Sequence, residues 1–221
     1  MKLIVPDIHG NIEIVNAVKE SRIQEYDKII FLGDYWDSWT ISWERQLECF
    51  NEIIKLKKKY SDKIVLLLGN HDIHYMIDTI QYSGYERGLN SDSYKAGVVK
   101  LLMEDNIKLF QSAFLYDNCL YTHAGLSDTF FSYLSKIYAK GAIRIDEWLN
   151  SFSLENLHTV VTYDGDHAMN NISFIRPNSL TKNLYLDEKV LSQCVGHTHS
   201  NKMRIYNKLI IVDSCQLLEI E

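Results

Sequence analysis

Two short histidine-containing motifs stand out in this sequence, because residues of their types can bind metal ions. Gly69-Asn70-His71-Asp72 and Gly196-His197-Thr198-His199 each directly follow an apolar run. A random chain of the same composition would contain them about 0.002 and about 0.01 times. Imidazole, carboxylate and amide-oxygen donors gathered in one place are typical ligands of divalent transition metals. The two motifs therefore predict metal-dependent chemistry.

Three further polar segments follow apolar runs in the same way. They are 7–11 with Asp7 and His9, 33–37 with Asp34 and Asp37, and 122–125 with His123. These residues offer more donors than one metal ion with an open coordination position can use. Their number fits two ions that share a bridging carboxylate. With no thiolate nearby, the donor set suits Mn²⁺, Fe or Zn²⁺. Two metal ions about 3.5–4 Å apart polarise a phosphoryl group and generate hydroxide at neutral pH.

The apolar runs that precede the first three segments read as strands that alternate with helices. Strands are predicted at 2–6, 28–32 and 64–68, and helices at 11–20 and 42–60, where apolar residues recur at helical spacing. This order predicts right-handed crossovers and a parallel sheet. Ligands bind at the carboxyl ends of such strands, which is where the polar segments lie.

The remainder of the chain completes an α/β pattern. Residues 72–112 read as a helical insert and 130–152 as a further helix. Strands are predicted at 113–116 and 120–123 around the turn pair Asp117-Asn118, as expected for a hairpin. Four more strands are predicted near the C-terminus, at 190–195, 203–206, 209–212 and 217–220.

Length and composition favour one globular domain spanning residues 1–221. Hydrophobic residues make up 46% and charged residues 24% of the chain. With 23 Lys+Arg and 29 Asp+Glu, the formal net charge of −6 argues against a broad nucleic-acid-binding surface. No apolar run approaches the ~18 residues of a membrane span, and none resembles a signal-peptide core. The 4 scattered cysteines predict reduced thiols in a cytoplasmic protein, or in the host cytoplasm if the protein is phage-encoded.

Taken in order, these motifs resemble those of the calcineurin-like metallophosphoesterases, over residues 7–199. Within that superfamily, 33–37 and 122–126 resemble motifs of the PPP-type Ser/Thr phosphatases and their small bacterial and phage relatives. The tail at 212–219 resembles that of small bacterial members, including diadenosine tetraphosphatases. The resemblance implies a four-layer αββα sandwich and hydrolysis of phosphoesters, with in-line attack by a hydroxide that bridges two metal ions.

The resemblance also implies a role for each matched residue. The implied ligands are Asp7, His9 and His199 for the first metal ion, Asp34 as the bridge, and Asn70, His123 and His197 for the second. His71 would protonate the leaving oxygen as general acid, with Asp37 as its carboxylate partner. Two Mn²⁺ ions are expected, with Fe or Zn²⁺ as alternatives.

The sequence departs from the family pattern at two arginines that bind phosphate. Ser38 stands where the family has an Arg after Gly-Asp-x-x-Asp. Leu68 stands where the family often has an Arg just before Gly-Asn-His. Arg176, in a segment that resembles the Trp-Ile-Arg of bacterial members, is the best remaining candidate for a phosphate ligand. The alternative is an exposed arginine in a salt bridge.

The aromatic residues leave two interpretations open. Trp36, Trp39 and Trp43 are either a core stripe at helical spacing or a wall on which a nucleobase stacks. His158 and His167 match no family position and are expected at the surface.

The leading functional prediction is a phosphatase that acts on phosphomonoesters of proteins or small molecules. A phosphodiesterase or a nucleotide or dinucleotide polyphosphate hydrolase is the alternative. A third hypothesis is a catalytically inactive scaffold that still binds the metal ions. The intact pair of His71 and Asp37 argues against it.

Overall fold

The computed structural model describes residues 1–18, 23–82, 88–158, 165–200, 202–212 and 217–220. Contacts divide the chain into two compact units. The first unit comprises residues 1–110 with the C-terminal strand, and the second comprises residues 111–214. Each unit is built on one five-stranded sheet.

The sheet of the first unit is parallel at its centre. Its strands, in spatial order, are β10 (Leu218–Ile220), β1 (Lys2–Val5), β2 (Lys28–Phe31), β3 (Ile64–Leu67) and β4 (Phe110–Gln111). β1 pairs with β2 and β2 with β3 in parallel, whereas β10 pairs with β1 antiparallel. The central strands are almost wholly apolar and buried, as expected for strands covered on both faces.

Helices connect these strands, and side chains cap several of them. They are α1 (Ile12–Ala17), α2 (Trp43–Lys59), α3 (Asn70–Met76) and α4 (Ser93–Asn106), with short 3-10 turns at Leu89–Ser91 and Ile107–Leu109. The hydroxyl of Ser42 caps α2, and the carboxylate of Asp92 caps α4, so that otherwise unpaired amides at each start are satisfied. α2 buries Phe50, Ile53 and Ile54 on one face.

The sheet of the second unit is mixed. Its strands, in spatial order, are β5 (Ala113–Tyr116), β6 (Cys119–Thr122), β7 (Ser192–Val195), β9 (Leu209–Ile211) and β8 (Arg204–Tyr206). β6, β7 and β9 are parallel, and hairpins add the two edge strands. Its helices are α5 (Asp128–Ile137), α6 (Ile145–Asn150), α7 (Leu154–His158) and α8 (Pro177–Lys182). Phe130, Trp148 and Leu149 lie in its apolar core.

Most predicted elements are confirmed, and two details differ. The turn pair Asp117-Asn118 forms the predicted hairpin, with φ of 48° and 57°. The helix predicted over 130–152 is instead two helices, because Gly141 adopts φ 58° in an exposed connection between them. The last strand pairs with β1 rather than with its neighbours in sequence. No helix in the described part of the chain is long and apolar enough to cross a membrane.

The single domain over residues 1–221, with an insert at 72–112, stays a prediction. Helices occupy much of the insert region, from the body of α3 to the second 3-10 turn.

Candidate metal centre

The first unit places a group of potential metal ligands at the carboxyl ends of β1 and β2. Asp7, His9 and Asp34 each offer one ligand atom, and these atoms lie within 4.8 Å of one another. Both carboxylates are buried. Nδ1 of His9 lies 2.7 Å from the backbone oxygen of Trp36. That bond fixes the proton on Nδ1 and leaves Nε2 as a lone-pair donor, as a histidine that binds metal requires.

Several of the predicted site residues adopt a backbone conformation that side chains disfavour. The φ angles are 42° at His9, 51° at Asp34, 69° at Asp37 and 62° at His197. Among the described residues, the other non-glycine positions with positive φ are Asp117, Asn118 and Asn207, all in tight turns. Each such conformation costs about 1–3 kcal/mol and persists where surrounding contacts enforce it. Among the described non-glycine residues, the positive-φ positions outside tight turns are therefore all predicted site residues.

Asp72 provides much of that enforcement. Its buried carboxylate accepts hydrogen bonds from the backbone amides of Asp34 at 2.9 Å, Tyr35 at 2.8 Å and Gly69 at 2.8 Å. It thereby ties the loop after β2 to the loop after β3. A side chain at Gly33 would place its Cβ 2.6 Å from the amide of Gly69, so the two loops approach too closely for any residue but glycine.

The start of α3 carries the Asn-His pair of the first motif. Asn70 is buried, and the amide of His71 donates to Oδ1 of Asp34 at 2.8 Å. The sequence pattern predicts no role for Asp72, although this residue ends the rare Gly-Asn-His-Asp motif. Only the three amides that converge on it reveal its function in the loops.

The structure brings Asp37 and His71 together. Nδ1 of His71 lies 2.8 Å from Oδ2 of Asp37. Burial alone would raise the pKa of Asp37, but hydrogen bonds from His71 and His74 hold it well below its ordinary value. Burial lowers the pKa of His71, but the carboxylates of Asp34 and Asp37 outweigh that effect and raise it. The pair is thus an imidazole that favours its protonated form beside an ionised carboxylate.

The second unit carries the other predicted ligands at the ends of β6 and β7. The rings of His123 and His197 are buried, with centroids 5.1 Å apart. The amide of Gly196 donates to the backbone oxygen of His123 at 2.8 Å, which joins the two strand ends. His199 follows two residues later and is exposed.

Arg176 lies beside this histidine pair. Its Nη1 is 3.4 Å from the backbone oxygen of His197 and 3.5 Å from Oγ1 of Thr198. The side chain is half-buried rather than exposed. A Cβ at Gly165 would lie 3.0 Å from Cγ of Arg176, so a glycine there leaves room for the arginine.

The tryptophans separate into two environments. Trp36 is fully buried, stacks on Trp43 with centroids 6.1 Å apart and contacts Phe50 at 4.6 Å, so it belongs to the core. Trp39 is 61% exposed.

Among the histidines, His167 is exposed as predicted. The surface placement of His158 was wrong, because it is fully buried against Asn171.

Comparison with known proteins identifies the family. Residues 3–201 match the family described as calcineurin-like phosphoesterase. The chain therefore belongs to the calcineurin-like phosphoesterase family. The predicted fold class, an α/β metallophosphoesterase sandwich, is confirmed.

A curated relative and two solved structures agree with this assignment. The serine/threonine-protein phosphatase 4 catalytic subunit of Candida glabrata is 29% identical over 125 residues, which are 56% of this chain and 38% of that relative. The chain thus matches well under two thirds of the relative's length. A mutant of a cold-active protein tyrosine phosphatase has a TM-score of 0.58 at 16% identity, over 96% of this chain and 70% of that one.

The second solved structure is a protein serine/threonine phosphatase from Saccharomyces cerevisiae with similarity to human phosphatase PP5. It has a TM-score of 0.57 at 14% identity, over 96% of this chain and 66% of that one. At these identities, the two structures show a shared fold.

Proposed function

We propose that this protein hydrolyses phosphomonoesters at a centre of two divalent metal ions, Mn²⁺ in the simplest case. The observation that carries the proposal is the pairing of a ligand group with a proton donor. The group formed by Asp7, His9 and Asp34 lies next to the Asp37–His71 pair, since the rings of His9 and His71 are 5.2 Å apart. Phosphatases among the relatives support a phosphorylated substrate.

Seven residues would hold the metal ions, in the sets that the family resemblance implies. They are Asp7, His9, Asp34 and Asn70 from the first unit, and His123, His197 and His199 from the second. Bound there, two divalent ions would provide a nucleophile at neutral pH and would polarise the phosphoryl group.

The chain's own contribution to the chemistry is the proton on His71. Because Nδ1 is bonded to Asp37, the proton available for transfer is on Nε2. Transfer of that proton to the leaving oxygen would avoid expulsion of a poor leaving group as an alkoxide. Arg176 would bind the phosphate, since its guanidinium lies beside His197.

One observation favours a second substrate class. Trp39 is exposed two residues after Asp37, close in sequence to the position where the family's phosphate-binding arginine is replaced by Ser38. An exposed indole stacks on nucleobases irrespective of their sequence. A nucleotide or dinucleotide polyphosphate hydrolase is therefore the alternative function.

Metal loading tests the proposed centre. Asp34→Asn should reduce bound metal from two ions per chain and abolish turnover, because a shared carboxylate neutralises charge that an amide cannot. Metal content is read by plasma mass spectrometry on reconstituted protein, and His167→Asn is the matched control at an exposed position. Wild-type metal content and activity in Asp34→Asn would contradict the assignment.

A substrate panel distinguishes the two classes. Manganese-loaded protein is assayed with phosphopeptides, cyclic nucleotides, dinucleotide polyphosphates and phosphorylated oligonucleotides. The proposal expects the highest kcat/KM for a monoester, with Arg176→Ala raising KM for it. A nucleotide preference that Trp39→Ala removes would favour the alternative instead.

A further inference from the structure

Four hydrogen-bond donors converge on the carboxylate of Asp37. This is more than the carboxylate needs if its only role is to orient one histidine. Oδ2 lies 2.8 Å from Nδ1 of His71 and 2.9 Å from Nε2 of His74. Oδ1 accepts hydrogen bonds from the hydroxyl of Tyr75 and, at 2.9 Å, from the amide of Leu89. The carboxylate is buried, and hydrogen bonds to a buried charge are strong because the local dielectric is low.

Three of these donors come from a single turn of α3. His71, His74 and Tyr75 are spaced i, i+3 and i+4, so they lie on the same side of the helix. The His74 ring meets the Tyr75 ring edge-on at 4.5 Å and the His71 ring at 5.3 Å. Packing therefore fixes the rings in the positions from which they reach Asp37.

The fourth donor approaches from the 3-10 turn at Leu89–Ser91. The preceding residue is Gly88, and a Cβ at that position would overlap the Asp37 carboxylate. A glycine is thus required for the Leu89 amide to come within hydrogen-bond distance. Both oxygens of Asp37 are bonded twice, so the carboxylate cannot rotate without breaking bonds.

His74 fits a supporting role. Burial lowers the pKa of His74, and its hydrogen bond to Asp37 opposes that effect only in part. A neutral imidazole with its proton on Nε2 donates to Asp37 without adding a second positive charge beside His71.

We propose that His74 and Tyr75 are positioning residues for His71, which act by holding the Asp37 carboxylate that orients its ring. The inference rests on the proposed function, because it takes His71 as the proton donor. The residues on α3 beyond the Gly-Asn-His-Asp motif would then determine how well this protein expels poor leaving groups.

Three substitutions separate the contacts. His74→Leu removes the donor, His74→Gln replaces it with an amide N–H, and Tyr75→Phe removes only the hydroxyl. Full-length, manganese-loaded protein is assayed with phenyl phosphate and with 2,4-dinitrophenyl phosphate, whose leaving group needs no proton. We expect kcat for phenyl phosphate to fall roughly 10-fold in His74→Leu and Tyr75→Phe. KM and kcat for the dinitrophenyl ester should change little. His74→Gln, which keeps an N–H donor, should lose much less activity toward phenyl phosphate than His74→Leu.

Two readouts besides turnover complete the test. On Zn²⁺-loaded protein, which avoids the paramagnetism of Mn²⁺, the ring ¹⁵N resonances of His71 should shift in both loss-of-donor variants, since its partner carboxylate is released. Metal content should stay at the wild-type value. Tyr26→Phe is the matched control, because the hydroxyl of Tyr26 also donates to a carboxylate, Oε1 of Glu219 at 2.6 Å.

The double variant of His71→Ala and His74→Leu is decisive. If His74 acts through His71, the second substitution adds no further loss to the first. Additive losses, or equal losses with both esters, would overturn the positioning role. Loss of a bound metal ion from His74→Leu would also overturn it, because Asp37, His71 and His74 could themselves hold an ion. If His71→Ala alone affects both esters equally, the general-acid function itself fails, which is a separate result.

Discussion

In the first unit, buried carboxylates hold the loops that carry the candidate ligands, whereas in the second unit neutral amide side chains do so. Asp72 accepts three backbone amides from the loops after β2 and β3. Gln193 is equally buried and bonds the amide and the oxygen of Leu126, three residues after His123, and the oxygen of Tyr185.

The difference follows from the kinds of candidate ligand that each unit carries. The first unit gathers ionised groups, and a carboxylate that accepts several amides stays ionised and rigid. The second unit gathers imidazoles, which bind metal only when neutral. Amides can fix the neighbouring loops without a carboxylate that would favour protonated imidazole. The comparison predicts that charged contacts contribute more to stability than their neutral counterparts, contact for contact.

The largest effect is expected at Asp72. Asp72→Ala leaves three buried amides without this acceptor and should lower the free energy of unfolding by about 4 kcal/mol. Urea denaturation measures the loss. The matched control is Asp78→Ala, because Asp78 is a carboxylate 83% exposed in its pair with Lys100. That variant should change stability by less than about 1 kcal/mol. Similar losses in both variants would show that burial of the carboxylate is not what matters.

A smaller effect is expected at Gln193. Gln193→Leu keeps the volume but leaves the amide of Leu126 and the oxygen of Tyr185 without this partner, at a cost of about 2 kcal/mol. Gln24→Leu, at an exposed position, is the control and should lie within about 0.5 kcal/mol of wild type. The comparison breaks if Gln193→Leu proves as destabilising as Asp72→Ala.

Local sequence patterns anticipate much of the fold and the composition of the site. Apolar runs of four residues bounded by polar segments give the strands of the first sheet, and the motifs at their ends give the ligand group. Such patterns do not specify partners distant in sequence. The pairing of β10 with β1, across almost the whole chain, was therefore not predicted.

Tyr75, which contacts the Asp37 carboxylate, was also missed, for a related reason. Tyr75 and His74 matter because α3 begins at Asn70, which places them one turn beyond His71. The spacing has meaning only once that helix and the location of Asp37 are known. Likewise, His158 was expected at the surface because it matches no family position, whereas its burial depends on packing around Asn171.

His158 provides the most specific test, since it links stability to pH through a neutral contact of the second unit. Burial lowers the pKa of His158 to about 4, against the opposing effect of its bond to Asn171. The unfolded chain takes up a proton below the ordinary pKa of about 6.5. The folded protein does so only near pH 4, so the stability that the neutral ring provides is present above pH 6.5 and is lost as pH falls.

Between pH 7 and pH 5 this linkage amounts to about 2 kcal/mol. Urea denaturation of wild type and His158→Gln at both pH values measures it, because the difference between the two proteins cancels the other titrating groups. We expect wild type to lose about 2 kcal/mol more than the variant. Equal losses would mean that His158 is protonated in the folded state. In that case, the second unit would rely on a buried charge, as the first unit does, and the contrast between the units would disappear.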